Sequence, residues 1–238
     1  DMPLTFSKAL AGLFIFLSGG VIFFYLGRLS RRLIFKETEK QEDVNVLKKM
    51  TPAENRMVSL AGGILALVIT GYYGMSMAAL TLFLVSAVLV MITVIDAYTQ
   101  TIPPVLNIVL GALGLFSILT MPGISVAERV IGFFCISVPM FLIVLLVPGG
   151  FGGGDIKMMA ASGILLGWKG NLAAFFIGLI IGGVYGAFLL ISGKKGRKEH
   201  FAFGPCLSIG IFVSAYAGIG MRIVDQYLYM IQTMLAGS

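Results

Sequence analysis

Apolar runs long enough to cross a bilayer recur along this chain, and they settle its fold class before any motif is considered. They fall at about 9–27, 55–75, 78–95, 104–121, 130–147, 156–168, 172–192 and 204–220. A membrane helix needs ~20 predominantly apolar residues, and most of these runs come close to that. Open strands would leave backbone groups unpaired in lipid, so the runs are predicted to be helices. Charged residues are only 12% of the 238 positions, against ~25% in a soluble domain. The expected fold is all-α: a polytopic membrane helix bundle of about eight transmembrane helices. The chain reads as one integral membrane domain over 1–238, with a short cytoplasmic polar segment at about 28–56. The first apolar run ends without an A-x-A-like site and reads as a retained span.

The net charge of +6 does not point to nucleic acid, because the basic residues sit in short loops, where they set orientation. The 28–56 segment holds Arg28, Arg31, Arg32, Lys36, Lys40, Lys48, Lys49 and Arg56, mixed with Glu37, Glu39, Glu42 and Asp43. Such mixed charge reads as a solvated helical hairpin or a loop on anionic lipid. With that segment in the cytoplasm, Lys157 and the loop Lys194, Lys195, Arg197 and Lys198 fall on the same side. Only Lys8, Arg129, Lys169 and Arg222 of the 17 basic residues then lie outside. Both chain ends are placed outside by the same count.

Local signals add detail. Thr51-Pro52-Ala53-Glu54 fits a capping box with proline at the first helical position. Gly178-x-x-x-Gly182-x-x-x-Gly186 is a small-residue stripe suited to close helix contact. Arg222, Asp225, Gln226 and Gln232 lie roughly on one helical face, which predicts a helical or interfacial extension after the last span. Cys135 and Cys206 stand alone in apolar runs, so no zinc site is predicted and both read as small buried hydrophobes.

The acidic residues are more informative. Asp1, Asp43, Asp225 and the six glutamates lie in loops, tails or helix starts. Asp96 and Asp155 differ: they abut apolar spans with no compensating polar run. Asp96 ends the third span and Asp155 opens the sixth. The charge count, which makes no use of either, puts both on the cytoplasmic side at similar depth. A carboxylate beside hydrocarbon is costly and is by default a functional candidate. Two carboxylates brought together share one proton. The ionised one can take a proton from water and the protonated one can donate to an amide carbonyl.

The run Gly149-Gly150-Phe151-Gly152-Gly153-Gly154 before Asp155 is too glycine-rich for a stable helix, at ~1 kcal/mol per glycine against alanine. It reads as a loop that lets another backbone approach and that can move. The plainer alternative for Asp155 is a helix N-cap. Lys157 reads as a side chain snorkelling to lipid phosphates.

These residues resemble a known family. Gly152-Gly153-Gly154-Asp155 fits the G-x-G-D signature of membrane aspartyl proteases, and the pattern is similar to the type IV prepilin peptidases in particular. Asp96 followed by a polar turn into Ile102-Pro103, Asp155-Ile156-Lys157, and Phe203-Gly204-Pro205 opening the last span all match that family's order. The resemblance covers about 57–220. It implies Asp96 and Asp155 as the catalytic pair, with Gly152 and Gly154 shaping the loop. Gly153, Lys157, Pro103, Phe203, Gly204 and Pro205 would be motif or substrate-proximal positions. The implied partners are the lipid bilayer and a prepilin or pseudopilin whose basic leader is cut at the cytoplasmic face of the bacterial inner membrane. No metal or cofactor is implied for the peptidase step. S-adenosylmethionine would serve a second, N-methyltransferase activity that many members carry. Many members also have two C-x-x-C pairs between the first two spans, and this chain has none there, which argues against methyl transfer.

Other readings stay open at this point. A presenilin-like intramembrane protease would share G-x-G-D, but Asp96 follows Ile95 rather than tyrosine and no Pro-Ala-Leu occurs. A proton-coupled transporter would favour acids in broken helices at mid-bilayer and an internal repeat.

Overall fold

The computed structural model describes residues 2–40, 51–147, 150–192 and 202–236. Glu42, Asp43, Lys48, Lys49, Gly149 and the basic loop 194–198 lie outside the described residues. Nine α-helices are described: α1 (Met2–Lys40), α2 (Pro52–Tyr73), α3 (Met77–Thr99), α4 (Pro104–Thr120), α5 (Val126–Cys135), α6 (Ser137–Leu146), α7 (Gly153–Ile191), α8 (Gly204–Ala215) and α9 (Ile219–Ala236). Among the described residues five helical stretches are long and apolar enough to cross a membrane, or six if α8 and α9 form one bent span. The chain is an all-helical, polytopic membrane protein.

The helices fall into two compact units, 1–99 and 100–238. In the first, α1 and α2 pack through small residues. A Cβ on Gly19 would stand 2.6 Å from the Ala66 Cβ, and one on Gly62 would overlap the Phe23 ring. Only side chains this small let two membrane helices approach so closely. The Ser59 hydroxyl donates to the Gly20 carbonyl across the same seam, 2.7 Å away. Fully buried Phe23 then reaches α3, its ring centroid 5.5 Å from that of Phe83. The capping box predicted at Thr51 is present: its hydroxyl accepts from the Glu54 N–H while Glu54 accepts from the Thr51 N–H.

Of the two readings of the polar segment, a solvated helical hairpin or a loop, its first part takes the helical one: α1 continues to Lys40. Arg, Leu, Lys and Glu are all good helix formers. Arg28 also stays on the helix by laying its guanidinium 4.6 Å over the Phe24 ring, a contact that costs the side chain no burial of its charge.

In the second unit α7 is the central column, packed by α4, α5, α8 and α9. Its apolar stretch of 37 residues would be ~55 Å long if straight, far more than the ~30 Å of hydrocarbon. It is broken at Gly167, whose φ of 67° and ψ of 177° are non-helical. Residues with a Cβ rarely adopt that backbone, and a Cβ here would also stand 2.8 Å from Ile124 Cγ2. The break falls at the end of the span expected at 156–168, one residue inside its boundary and before the span expected at 172–192. The span expected at 130–147 is likewise two helices, α5 and α6, meeting at Ile136.

Breaking a helix in an apolar setting frees carbonyls that need donors. Arg129 supplies them. It was expected in an outside loop, but it is 2% exposed. Its guanidinium donates to the Ile164 and Leu165 carbonyls just before the break, at 2.7 and 3.2 Å. It also donates to the carbonyls of Ser117 and Met121 at the end of α4, to the Ser117 hydroxyl and, through Nε, to the Ile124 carbonyl. Positive charge is favourable at two helix C-termini at once. Asn171, fully buried, spans the break from the other side. Its amide donates to the Gly132 and Met159 carbonyls and its oxygen accepts from Ser162.

Glycines again set the helix distances. A Cβ on Gly163 would stand 2.1 Å from the Gly132 carbonyl oxygen, so α5 and α7 cross with backbones touching. The Gly178 and Gly182 positions of the predicted stripe pack on Leu207, Cys206 and Phe203. The helical extension after the last span is α9. It follows a short 3-10 turn, Tyr216–Gly218, and its Asp225 pairs with Lys169 of α7 at 2.5 Å.

Candidate active site

The two aspartates sit at opposite kinds of helix end, one in each unit. Asp96 lies in the last turn of α3 and is 4% exposed. One turn on, the Thr99 hydroxyl donates to the Ile95 carbonyl, and Tyr98 hydrogen-bonds to Glu54 at the start of α2. The Asp96 end of the first unit is therefore tied to the beginning of α2 by its own neighbours.

Asp155 is in the first turn of α7 and is 9% exposed. It is the third residue of that helix and not its N-cap, the plainer role considered above. Its carboxylate instead reaches back and accepts from the Gly152 N–H at 3.3 Å. The backbone N–H groups of Asp155 and Ile156 both donate to the Gly152 carbonyl, at 3.0 and 3.2 Å. This is half of a capping box, with glycine where serine or threonine would stand.

The glycines around it divide by role. A Cβ on Gly152 would lie 2.9 Å from Asp155 Oδ2. A Cβ on Gly154 would lie 2.9 Å from the Ile102 Cβ. Nothing lies within 4 Å of the corresponding point on Gly153. The steric demand thus falls on the two outer glycines of G-x-G-D and spares the middle position. The prediction that the whole run is a loop is corrected: Gly153 and Gly154 form the first turn of α7. At a first turn the carbonyls already enter the helix ladder while the N–H groups are free in any case, so glycine there breaks nothing.

Other motif residues gather near this turn within the second unit. Pro103 is buried and stands at the N-cap position of α4, next to Ile102. Asn107, one turn into α4, donates its amide to the Gly154 carbonyl at 3.1 Å. Phe151, the only non-glycine side chain of the turn, has its ring 6.0 Å from Phe203 and 6.3 Å from Phe175. Phe203 in turn caps α8, its carbonyl accepting from the Cys206 and Leu207 N–H groups, with Gly204 and Pro205 as that helix's first residues. The second and third sequence motifs are therefore one assembly. Lys157 is exposed on the first turns of α7, as snorkelling requires. Sequence reasoning missed Asn107, Arg129 and Asn171. The signal was there: each is a strongly polar side chain in an apolar setting, the same test that singled out the aspartates.

Residues 82–187, which contain both aspartates and the glycine turn, match the model of the type IV leader peptidase family. Over that segment the chain is a type IV leader peptidase family sequence. It is 38% identical over 93 residues to the prepilin leader peptidase/N-methyltransferase of Bacillus subtilis strain 168, covering 38% of this chain and 37% of that one. The protein of the same name from Neisseria gonorrhoeae is 32% identical over 158 residues, covering 64% and 54% of the two chains. That of Burkholderia pseudomallei strain K96243 is 31% identical over 169 residues, covering 68% and 54%. The match thus spans about half or less of the length of these relatives. No solved structure matches.

Proposed function

We propose that this chain is a membrane aspartyl endopeptidase that removes the basic leader of type IV prepilins or pseudopilins. The observation that carries the reading is the G-x-G-D turn itself. It buries Asp155 at the start of an apolar helix, with Gly152 where a side chain would meet the carboxylate and Gly154 where one would meet Ile102, inside a segment of the leader peptidase family. Asp96, equally buried at the end of α3 in the same segment, is the second carboxylate of the proposed pair.

In this reading the two carboxylates share one proton and hold one water between them. The ionised carboxylate takes a proton from the water, whose oxygen attacks the scissile carbonyl carbon. The protonated carboxylate gives its proton to the carbonyl oxygen, forming a neutral gem-diol. As that intermediate collapses, the carboxylate that is then ionised takes a proton from one gem-diol hydroxyl, the C–N bond breaks, and the other carboxyl gives its proton to the leaving amine. The charge count favours the cytoplasmic face of the inner membrane as the place where this happens. The polar 28–56 segment is basic overall, so Glu37, Glu39, Glu42 and Asp43 are the groups in it that suit a basic leader.

The relatives are also named as N-methyltransferases. We assign this chain the peptidase step without methyl transfer, because its only cysteines are Cys135 and Cys206 and the 28–56 segment has none. The test is to incubate purified protein in detergent with a prepilin and labelled S-adenosylmethionine. Wild type cleaves and transfers no label, while Asp96→Asn and Asp155→Asn each lose cleavage with an unchanged unfolding temperature. Normal cleavage by either variant refutes the pair, and label on the mature pilin refutes the restriction to peptidase chemistry.

A further inference from the structure

We propose that Asn107 is a positioning residue for this reaction: its buried amide grips the Gly154 carbonyl and thereby sets the place of Asp155. The inference rests on the peptidase reading and extends it to a residue outside the family motifs discussed above.

The starting point is a polar group with no packing reason to be there. Asn107 is 6% exposed on α4, where its neighbours from Val105 to Phe116 are all apolar or glycine. Its Nδ2 donates to the Gly154 carbonyl at 3.1 Å. Its Oδ1 is buried and has no hydrogen-bond partner among the described residues. A buried acceptor left unpaired is costly, and native structures hold few of them. Leucine has nearly the same shape and would fill the same space without that cost. The amide is therefore retained for the bond it does make.

That bond acts on Asp155 through covalent geometry. The Gly154 carbonyl and the Asp155 N–H and Cα belong to one rigid peptide plane. Fixing the Gly154 oxygen fixes the orientation of that plane, and with it the direction in which the Asp155 side chain leaves the backbone. Ile102 holds the same residue sterically, 2.9 Å from where a Gly154 Cβ would be. Gly152 holds the carboxylate at its far end through the N–H bond to Oδ2. Asn107 supplies the remaining restraint, and it does so from α4, so the turn is referenced to a neighbouring helix and not only to itself. Displacing a reacting group by ~1 Å costs about a hundredfold in rate, so a restraint of this kind is felt in turnover more than in binding.

The experiment measures kcat and KM separately for full-length protein in detergent with a prepilin, alongside thermal unfolding. Asn107→Leu should lower kcat by between about tenfold and a hundredfold, with KM within about twofold and an unfolding temperature equal to or above wild type. Asn107→Ser, which keeps a donor on a shorter arm, should fall between the two. Wild-type kcat in Asn107→Leu overturns the proposal. So does a kcat loss that tracks a lowered unfolding temperature in both variants, because that is the mark of a purely structural role. Asp155→Asn is measured beside them. If it is inactive while Asn107→Leu is normal, only the positioning role fails. If Asp155→Asn still cleaves, the peptidase reading fails and this inference falls with it.

Discussion

The two ends of the first half of α7 treat buried polar groups in opposite ways. At the Gly167 break every polar side-chain atom of Arg129, Ser162 and Asn171 has a partner, and the freed carbonyls of Ile164 and Leu165 are both taken up. At the Gly152–Asp155 turn, Asn107 Oδ1 has no partner among the described residues, and glycines stand where a side chain would crowd the Asp155 carboxylate or Ile102. A saturated network rigidifies and specifies a fold. Rules of packing broken without local compensation mark positions held for chemistry. The break therefore serves the architecture, and in the proposed function the turn serves the reaction, although they belong to one helix.

This contrast can be broken experimentally. The largest expected effect is at the saturated end. Arg129→Met removes the donor for two helix ends and should destabilise the protein by about 1–3 kcal/mol for each buried carbonyl left unpaired, read as a lowered unfolding temperature in detergent. Little change would mean that the freed carbonyls find other donors. Next, Gly163→Ala forces a methyl onto the Gly132 carbonyl and should cost about 1–3 kcal/mol by overpacking. Its test is the same unfolding measurement, with Gly183→Ala as the control, since nothing lies within 4 Å of a Cβ there. At the turn the effects move from stability to rate. Gly154→Ala should slow prepilin cleavage by about tenfold or more, and Gly153→Ala should slow it clearly less. Equal losses at both positions would undo the steric reading of G-x-G-D. The smallest stability effect belongs to Asn107→Leu, which should shift unfolding by less than about 1 kcal/mol, in the neutral or stabilising direction.

Much of this architecture is legible in the sequence, because lipid leaves a chain few options. The apolar runs locate the helices, and the capping box at Thr51 and the glycine stripe from Gly178 have the geometry their patterns predict. What escapes is decided by neighbours distant in the chain. Arg129 is counted as a loop charge because nothing near it in sequence shows two helix ends converging on it. The helix break at Gly167 leaves no signal beyond one glycine among 31. At the site, Asp155 and its glycines stand out by their cost in an apolar context. Asn107 passes as one amide in a hydrophobic helix until Gly154 is seen against it. The continuation of α1 to Lys40 is left open between helix and loop, because mixed charge suits a solvated helix as well as a loop.

The central claim is that Asp96 and Asp155 work at one aqueous boundary of the membrane. It is tested most directly with single cysteines at the two positions, in a Cys135→Ala, Cys206→Ala background, in sealed membrane vesicles of each orientation. The account predicts that an impermeant thiol reagent modifies both from the cytoplasmic side alone, and that a short bifunctional reagent joins the two when both cysteines are present in one chain. Modification of the two from opposite sides would contradict it.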